Sequence, residues 1–258
     1  MSLPDDFWEL PLRHVGHQVL VFRCVSSTND VAASLAEDLA HAGVAILAES
    51  QTAGRGQYGR SWVAPPKSSV LLSVLLFPPV EFRRPALLTA WASVAVALTV
   101  EQVCGESPAI KWPNDVLLRG RKVCGVLIEQ GRGIITGIGL NVNQTSSYFV
   151  QANLPTAASL RTVVGQSFDT FAIARLLLDR LDQLYDRMMR GQISELELLW
   201  NTYLDLRERE VIAETFDGTT VRGRLMDASF DFLRIRRADG LDMIFRPEQV
   251  KVLSSAMP

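Results

Sequence analysis

The sequence predicts an α+β protein that ends in a small all-β module, and three observations lead there. Apolar strand-like runs and helix-periodic segments are interleaved as far as Tyr203. Within them, Ala86 to Cys104 is long and apolar but broken by Thr89, Ser93, Thr99, Glu101 and Gln102, which reads as a buried core helix rather than a membrane span. Beyond Tyr203 the texture changes to short alternating runs with Asp217-Gly218 and Asp239-Gly240 as turns, the pattern of an antiparallel barrel or sandwich. The chain of 258 residues therefore divides into residues 1–207 and a C-terminal module, 208–258.

Val19 to Arg23 reads as a strand and delivers the chain to Ser26-Ser27-Thr28-Asn29-Asp30. These cap-type side chains precede the apolar-periodic segment Val31 to Ala42, so a helix is expected there, closed by Gly43. Ser27 and Thr28 serve as caps, and their hydroxyls also offer donors and acceptors to a polar ligand ring. Val44 to Glu49 and Val70 to Phe77 are further strands. Between them lies Gln51-Thr52-Ala53-Gly54-Arg55-Gly56-Gln57-Tyr58-Gly59-Arg60-Ser61-Trp62. Its glycines let backbone approach a ligand closely, and its arginines can receive an anion bidentately. A basic, glycine-rich surface hairpin would carry the same residues.

After the long helix, Ile110-Lys111-Trp112-Pro113-Asn114-Asp115 forms a stiff corner, because proline excludes a helix interior and keeps Trp112 extended. A lysine, an amide and a carboxylate are presented together. Arg119-Gly120-Arg121-Lys122 then turns a hairpin into the apolar strand Val123 to Glu129, with Lys122 at its entrance. Gly125 within that strand, and Gly137 and Gly139 in Ile134 to Asn143, call for a bulge or the close approach of a ligand or another backbone. Gln144 to Ala158, rich in polar residues but holding Tyr148 and Phe149, reads as a long lid-like loop. Helices are expected from Ser167 to Gly191 and from Ser194 to Tyr203, and strands around Val211–Ala213, Thr220–Leu225, Phe232–Ile235 and Met243–Phe245.

Composition removes several classes. A net charge of −2 with scattered basic residues gives no nucleic-acid-binding field. Cys24, Cys104 and Cys124 are an odd number without metal-type spacing, which fits reduced thiols in a cytoplasmic protein. The start, Met1-Ser2-Leu3-Pro4-Asp5-Asp6, lacks the basic and apolar regions of a signal peptide. Gly54-x-Gly56-x-x-Gly59 matches the dinucleotide fingerprint, but Pro65-Pro66 and a strand follow it instead of a helix, and no Gly-Lys-Ser/Thr is present for a P-loop. A nicotinamide-dependent oxidoreductase is thereby disfavoured.

Taken in register, Ser26 to Asn29, the Gln51 to Trp62 loop, Lys111-Trp112-Pro113-Asn114-Asp115, Arg121-Lys122-x-x-Gly125 and Gly137 to Asn143 resemble the biotin protein ligases, from about Val19 to the chain's end. The resemblance implies a central mixed β-sheet flanked by helices, shared with lipoate ligases, and a C-terminal SH3-like β-barrel. It implies ATP-dependent activation of biotin with Mg2+, then transfer to a lysine of the biotin carboxyl carrier protein of acetyl-CoA carboxylase or a related biotin-dependent carboxylase. By that likeness Arg55 and Arg60 act on the phosphates, with Lys111, Asn114 and Asn141 beside the ATP or adenylate, and Lys122 meets the biotin carboxylate and the α-phosphate. Asp115 is a magnesium-linked or an amine-orienting carboxylate. Ser27, Thr28, Asn29, Gln51 and the backbone around Gly54 bond the ureido ring, with Trp62 walling its apolar side and Gly125 leaving room. Tyr148 or Phe149 stacks on adenine.

Two departures from the family stand out. Gln57 and Tyr58 replace basic residues found in many members, which predicts a leakier adenylate. Few residues precede Val19, so a DNA-binding domain is not expected. A homodimer is common in the family but is not signalled here. The rivals are a lipoate ligase and a non-catalytic biotin- or nucleotide-sensing module without the need for Lys122 and Asp115.

Overall fold

The computed structural model describes residues 3–256, so Met1 and Ser2 of the acidic start lie outside the described residues. Its strands are β1 (Asp6–Glu9), β2 (Gln18–Phe22), β3 (Ala45–Ala48), β4 (Ser69–Leu76), β5 (Ala109–Lys111), β6 (Asp115–Leu118), β7 (Arg121–Gln130), β8 (Ile134–Asn141), β9 (Glu210–Thr215), β10 (Thr220–Ala228), β11 (Leu233–Arg236), β12 (Asp242–Phe245) and β13 (Val250–Ser255). The helices are α1 (Thr28–Leu35), α2 (Pro85–Cys104), α3 (Ser146–Gln151), α4 (Leu160–Val164), α5 (Thr170–Met189) and α6 (Ile193–Leu204). The first eight strands form one sheet in the order β1-β2-β3-β4-β8-β7-β6-β5. Only β2 and β3 run parallel, so the sheet is mixed, as expected.

Helix α2 crosses one face of this sheet with α5 and α6 packed on it, and α1 covers part of the other face. Pro85 opens α2 where an N–H would be unpaired, and Gly105 closes it in the left-handed region, φ 68°. Its apolar residues run all round because sheet and helices enclose it. Although long and apolar enough by composition to cross a membrane, it is a core helix with Trp91 wholly buried, the indole donating to the Leu181 carbonyl at 3.1 Å. α5 is amphipathic, turning Ile173, Leu177, Leu181 and Leu184 inward from an Asp169 cap.

The last five strands form an antiparallel sheet, β12-β11-β10-β9-β13, with β12 and β13 at its edges. Among the described residues no ladder joins those edges into a closed barrel. One hydrophobic core runs from the large sheet through Trp200 and Tyr203 into Val211, Leu225 and Ile235 of the small one.

Some expectations fail for local reasons. The helix expected over Val31 to Ala42 ends at Leu35, because Asp38 caps a separate 3-10 turn, Leu39–His41, and leaves Leu39 exposed. Gly43 is not its cap; with φ 81°, it donates to the Leu75 carbonyl at the entry to β3. Gln144 to Ala158 is not all loop, since Thr145 caps α3 within it. β1, α4 and β13 were not anticipated.

Candidate active site

Period-two alternation decides which residues face the site. On the α1 side of the sheet, Leu71 of β4 pairs with Gly139 of β8, Gly139 with Gly125 of β7, Gly125 with Asp115 of β6, and Asp115 with Lys111 of β5. This transverse row is the floor of a cleft of about 530 Å³. Both glycines are needed because Trp62 lies over them. A Cβ at Gly139 would sit 2.5 Å from the indole, and one at Gly125 would meet both the indole and Lys122 Nζ at 3.3 Å. The close approach expected at these glycines is thus made by the protein's own side chain. The buried Trp62 indole N–H has no acceptor among the described residues.

At one end of the cleft stand α1 and the start of the Gly-Arg loop. Ser27 is the N-cap, accepting from Asn29 N at 3.3 Å. Gln51 Oε1 accepts from Thr28 N at 2.7 Å and from Thr28 Oγ1 at 3.0 Å. Ser27, Thr28 and Asn29 are buried, and Gly137 leaves the space that Asn29 fills.

At the other end, Lys122 Nζ lies 2.5 Å from Asp115 Oδ1 and 5.9 Å from the centre of the Trp62 ring. The segment after α3 pins this lysine through its backbone: Lys122 N donates to the Thr156 carbonyl and Ala158 N to the Lys122 carbonyl, both at 2.8 Å. Next to it, burial pushes the Cys124 thiol pKa well up against the pull of Lys122, which keeps that sulfur un-ionised.

Every sequence-predicted site residue lines the cleft except Gly54 and Tyr148. Gly54 is buried at the base of the loop, where its carbonyl accepts from Trp62 N at 2.9 Å and a Cβ would strike the Trp62 carbonyl. Several predicted site residues also hold partners within the chain. Arg55, expected on phosphates, bonds carboxylates within the chain: Nη1 to Asp30 at 2.5 Å, and Nε and Nη2 to Glu129 at 3.2 and 3.1 Å. Glu129 foremost, then Asp30, raises its pKa above the ordinary guanidinium value. Asn114 donates from Nδ2 to the Val126 carbonyl at 2.6 Å, fastening the Pro113 corner to β7. Asn141 accepts from Gln144 Nε2 at 2.7 Å. Tyr148 donates to the Val63 carbonyl at 2.8 Å, whereas Phe149 reaches the cleft wall. Among the described residues, Arg60, Lys111 and Lys251 line the cleft without an ion pair.

Sequence reasoning missed Glu129, Ser73, Thr156 and the β13 pair Lys251 and Val252. Lys251 and Val252 arrive because Trp112 Nε1 donates to the Val250 carbonyl at 2.9 Å, docking β13 against the corner. The described residues hold no group of three or more metal-ligating side chains, and Asp115 is the cleft's one carboxylate.

Residues 21–144 match the model of the "Biotin/lipoate A/B protein ligase family". The chain is 32% identical over 211 residues to the bifunctional ligase/repressor BirA of Bacillus subtilis, covering 80% of this chain and 65% of that protein. It is 36% identical over 171 residues to a biotin–[acetyl-CoA-carboxylase] ligase of Mycobacterium tuberculosis, covering 64% of this chain and 63% of that one. It thus spans less than two thirds of the length of either relative. The fold is that of a biotin protein ligase from Aquifex aeolicus solved with biotin and ATP, with a TM-score of 0.79 at 24% identity, covering 92% of this chain and 99% of that one.

Proposed function

We propose, from the match of residues 21–144 to the model of the biotin/lipoate A/B protein ligase family, that the chain activates biotin as biotinyl-5′-AMP with ATP and transfers it to a lysine of a biotin carboxyl carrier protein. The observation that carries this is the Lys122–Asp115 pair standing over the same glycine floor and Trp62 wall that lead to Thr28 and Gln51. A ring-binding end and a cationic end are joined in one cleft.

In the first half-reaction a biotin carboxylate oxygen bonds to the α-phosphorus of ATP and the bond to pyrophosphate breaks. Two anions must meet, so cations have to offset their repulsion and the charge developing on the phosphates. Lys122 receives the carboxylate and the α-phosphate. Arg60, Lys111 and Lys251 serve the phosphates, the role that Arg55 leaves vacant by pairing with Asp30 and Glu129. Asn141 lies on the wall beside the adenylate, and Phe149 is the aromatic available to adenine. Magnesium would supply further charge neutralisation; with Asp115 as the single carboxylate to hold it, most of its ligands would be phosphate and water. In the second half-reaction the neutral carrier lysine bonds to the acyl carbon, the bond to AMP breaks and the amine's extra proton leaves. In this reading Asp115 orients that amine, its pair with Lys122 supporting a carboxylate at the reacting end.

Biotin is favoured over lipoate by the ring-binding end. The buried Ser27 and Thr28 and the half-buried Gln51 present polar atoms that a ureido ring can pair and an apolar dithiolane would leave unpaired. Residues 1–207 are assigned the catalysis, and residues 208–258 an SH3-like module that lends Lys251 and Val252 to the cleft. The enzyme is cytoplasmic in this reading.

The decisive assay is ATP–pyrophosphate exchange with biotin, with lipoate and with neither, on wild type and on Lys122→Ala. Exchange that needs biotin and falls at least about a hundredfold in the variant supports the assignment. Biotin binding without exchange would make the chain a sensor, and exchange with lipoate alone would move it to the other branch.

A further inference from the structure

The Gly-Arg loop is a small hairpin whose limbs are zipped together by Gly56 N donating to the Arg60 carbonyl at 2.7 Å and Trp62 N to the Gly54 carbonyl at 2.9 Å. Its base is held by the Arg55 ion pairs with Asp30 and Glu129. Its tip, Gln57–Gly59, turns on two successive left-handed residues, Tyr58 at φ 57° and Gly59 at φ 73°. Glycine or asparagine is the ordinary choice for such a backbone, so a tyrosine there is strained and invites a reason. Tyr58 is 62% exposed and yet lines the cleft, which places its ring at the rim. There it meets Phe216, 56% exposed, with the ring centres 6.3 Å apart and the planes inclined by 54°. Phe216 belongs to the C-terminal module, in the turn after β9. That turn is fixed by Thr215 Oγ1 donating to Asp217 Oδ1 at 2.5 Å, Thr219 N to the same oxygen at 3.0 Å, and Phe216 N to the Gln249 carbonyl at 3.1 Å. The module therefore touches the tip of the loop as well as lending Lys251 and Val252 to the cleft.

We propose that Phe216 is a positioning residue: through Tyr58 it clasps the Gly-Arg loop to the C-terminal module and slows the escape of biotinyl-adenylate from the cleft. Because the limbs of the loop are zipped, holding its tip also holds Arg60 and Trp62 over the cleft. Ring contact takes the place of the charge that Gln57 and Tyr58 lack, and it offsets the leakiness expected from their neutrality. An aromatic pair shifts an equilibrium by about two- to tenfold, weak enough for the loop to open in each turnover. The inference rests on the ligase reading for its ligand but not for the contact.

Two measurements on wild type, Phe216→Ala, Tyr58→Ala and the double variant test it. Trypsin cleavage of the unliganded protein after Arg60 reads the open population of the loop. Rapid filtration reads the release of radiolabelled biotinyl-adenylate formed in place from biotin and MgATP with pyrophosphatase present. Both rates should rise about three- to tenfold in each single variant and no further in the double variant, as for two residues that make one contact. Phe216→Trp should restore both rates. Phe216→Ala should keep its Tm and hold pyrophosphate exchange within about twofold, because Phe216 does not line the cleft. An unchanged rate of either kind in Phe216→Ala overturns the proposal, as do single effects that multiply in the double variant. A lowered Tm with an equal loss of exchange would also overturn it, making Phe216 merely structural. Faster cleavage in a protein whose wild type shows no biotin-dependent exchange would keep the clasp and remove the ligase reading.

Discussion

Gly125 and Gly139 are the residues on which the cleft's shape turns. Gly139→Ala would drive a methyl into the indole of Trp62, so we expect a loss of about 1–3 kcal/mol in urea unfolding and a raised KM for biotin. Gly125→Ala, whose Cβ meets the indole and the flexible end of Lys122 at 3.3 Å, should cost less. Sequence flagged both glycines as points of close approach but could not say what approaches, because Trp62 comes from a distant loop. Arg55 teaches the same lesson. Its motif announced an anion site, and within the chain the anions it meets are the side chains of Asp30 and Glu129, 25 and 74 residues away. Pairings at that separation leave no local signal.

Helices announce their ends more plainly than strands do. Ala86 to Cys104 read as one helix in the sequence, and the structure bounds α2 with an N1 proline, Pro85, and a left-handed cap, Gly105. Because Gly105 has open space around it, Gly105→Ala measures backbone strain alone. It should destabilise by about 1 kcal/mol in urea unfolding and leave pyrophosphate exchange unchanged. The short elements were illegible for a different reason. α3, α4 and β1 are each six residues or fewer, too short for a hydrophobic period to repeat, and they exist because tertiary partners hold them. β13 combines both difficulties, since its pairing with β9 is long-range and its register shifts between Val250 and Val252.

Across the whole molecule, the core that passes from the large sheet into the small one predicts a single cooperative transition, with coincident fluorescence and calorimetric melts. The three thiols provide a second test. Cys24 is exposed, Cys104 has its pKa pushed up to about 11, chiefly by burial, and Cys124 is fully buried with its pKa raised further. A raised thiol pKa means less thiolate at neutral pH. Alkylation at pH 8 should therefore label Cys24 first; labelling of Cys104 should accelerate about tenfold per pH unit until its pKa is reached, and Cys124 should react only at the rate of global unfolding. Sequence foresaw the mixed sheet and the change of texture after Tyr203, because both are written in local periodicity. It did not foresee that the C-terminal strands reach back into the cleft.

That last contact bears on inheritance. Lys251 and Val252 line the cleft, and Val250 receives the Trp112 indole within β13, the last strand among the described residues. A nonsense or frameshift allele that removes only the codons after Phe245 would discard a wall of the cleft along with an edge of the second sheet. Such an allele should behave as a null rather than as a shortened enzyme, and complementation of a ligase-deficient strain by the truncated gene is the measurement that decides it.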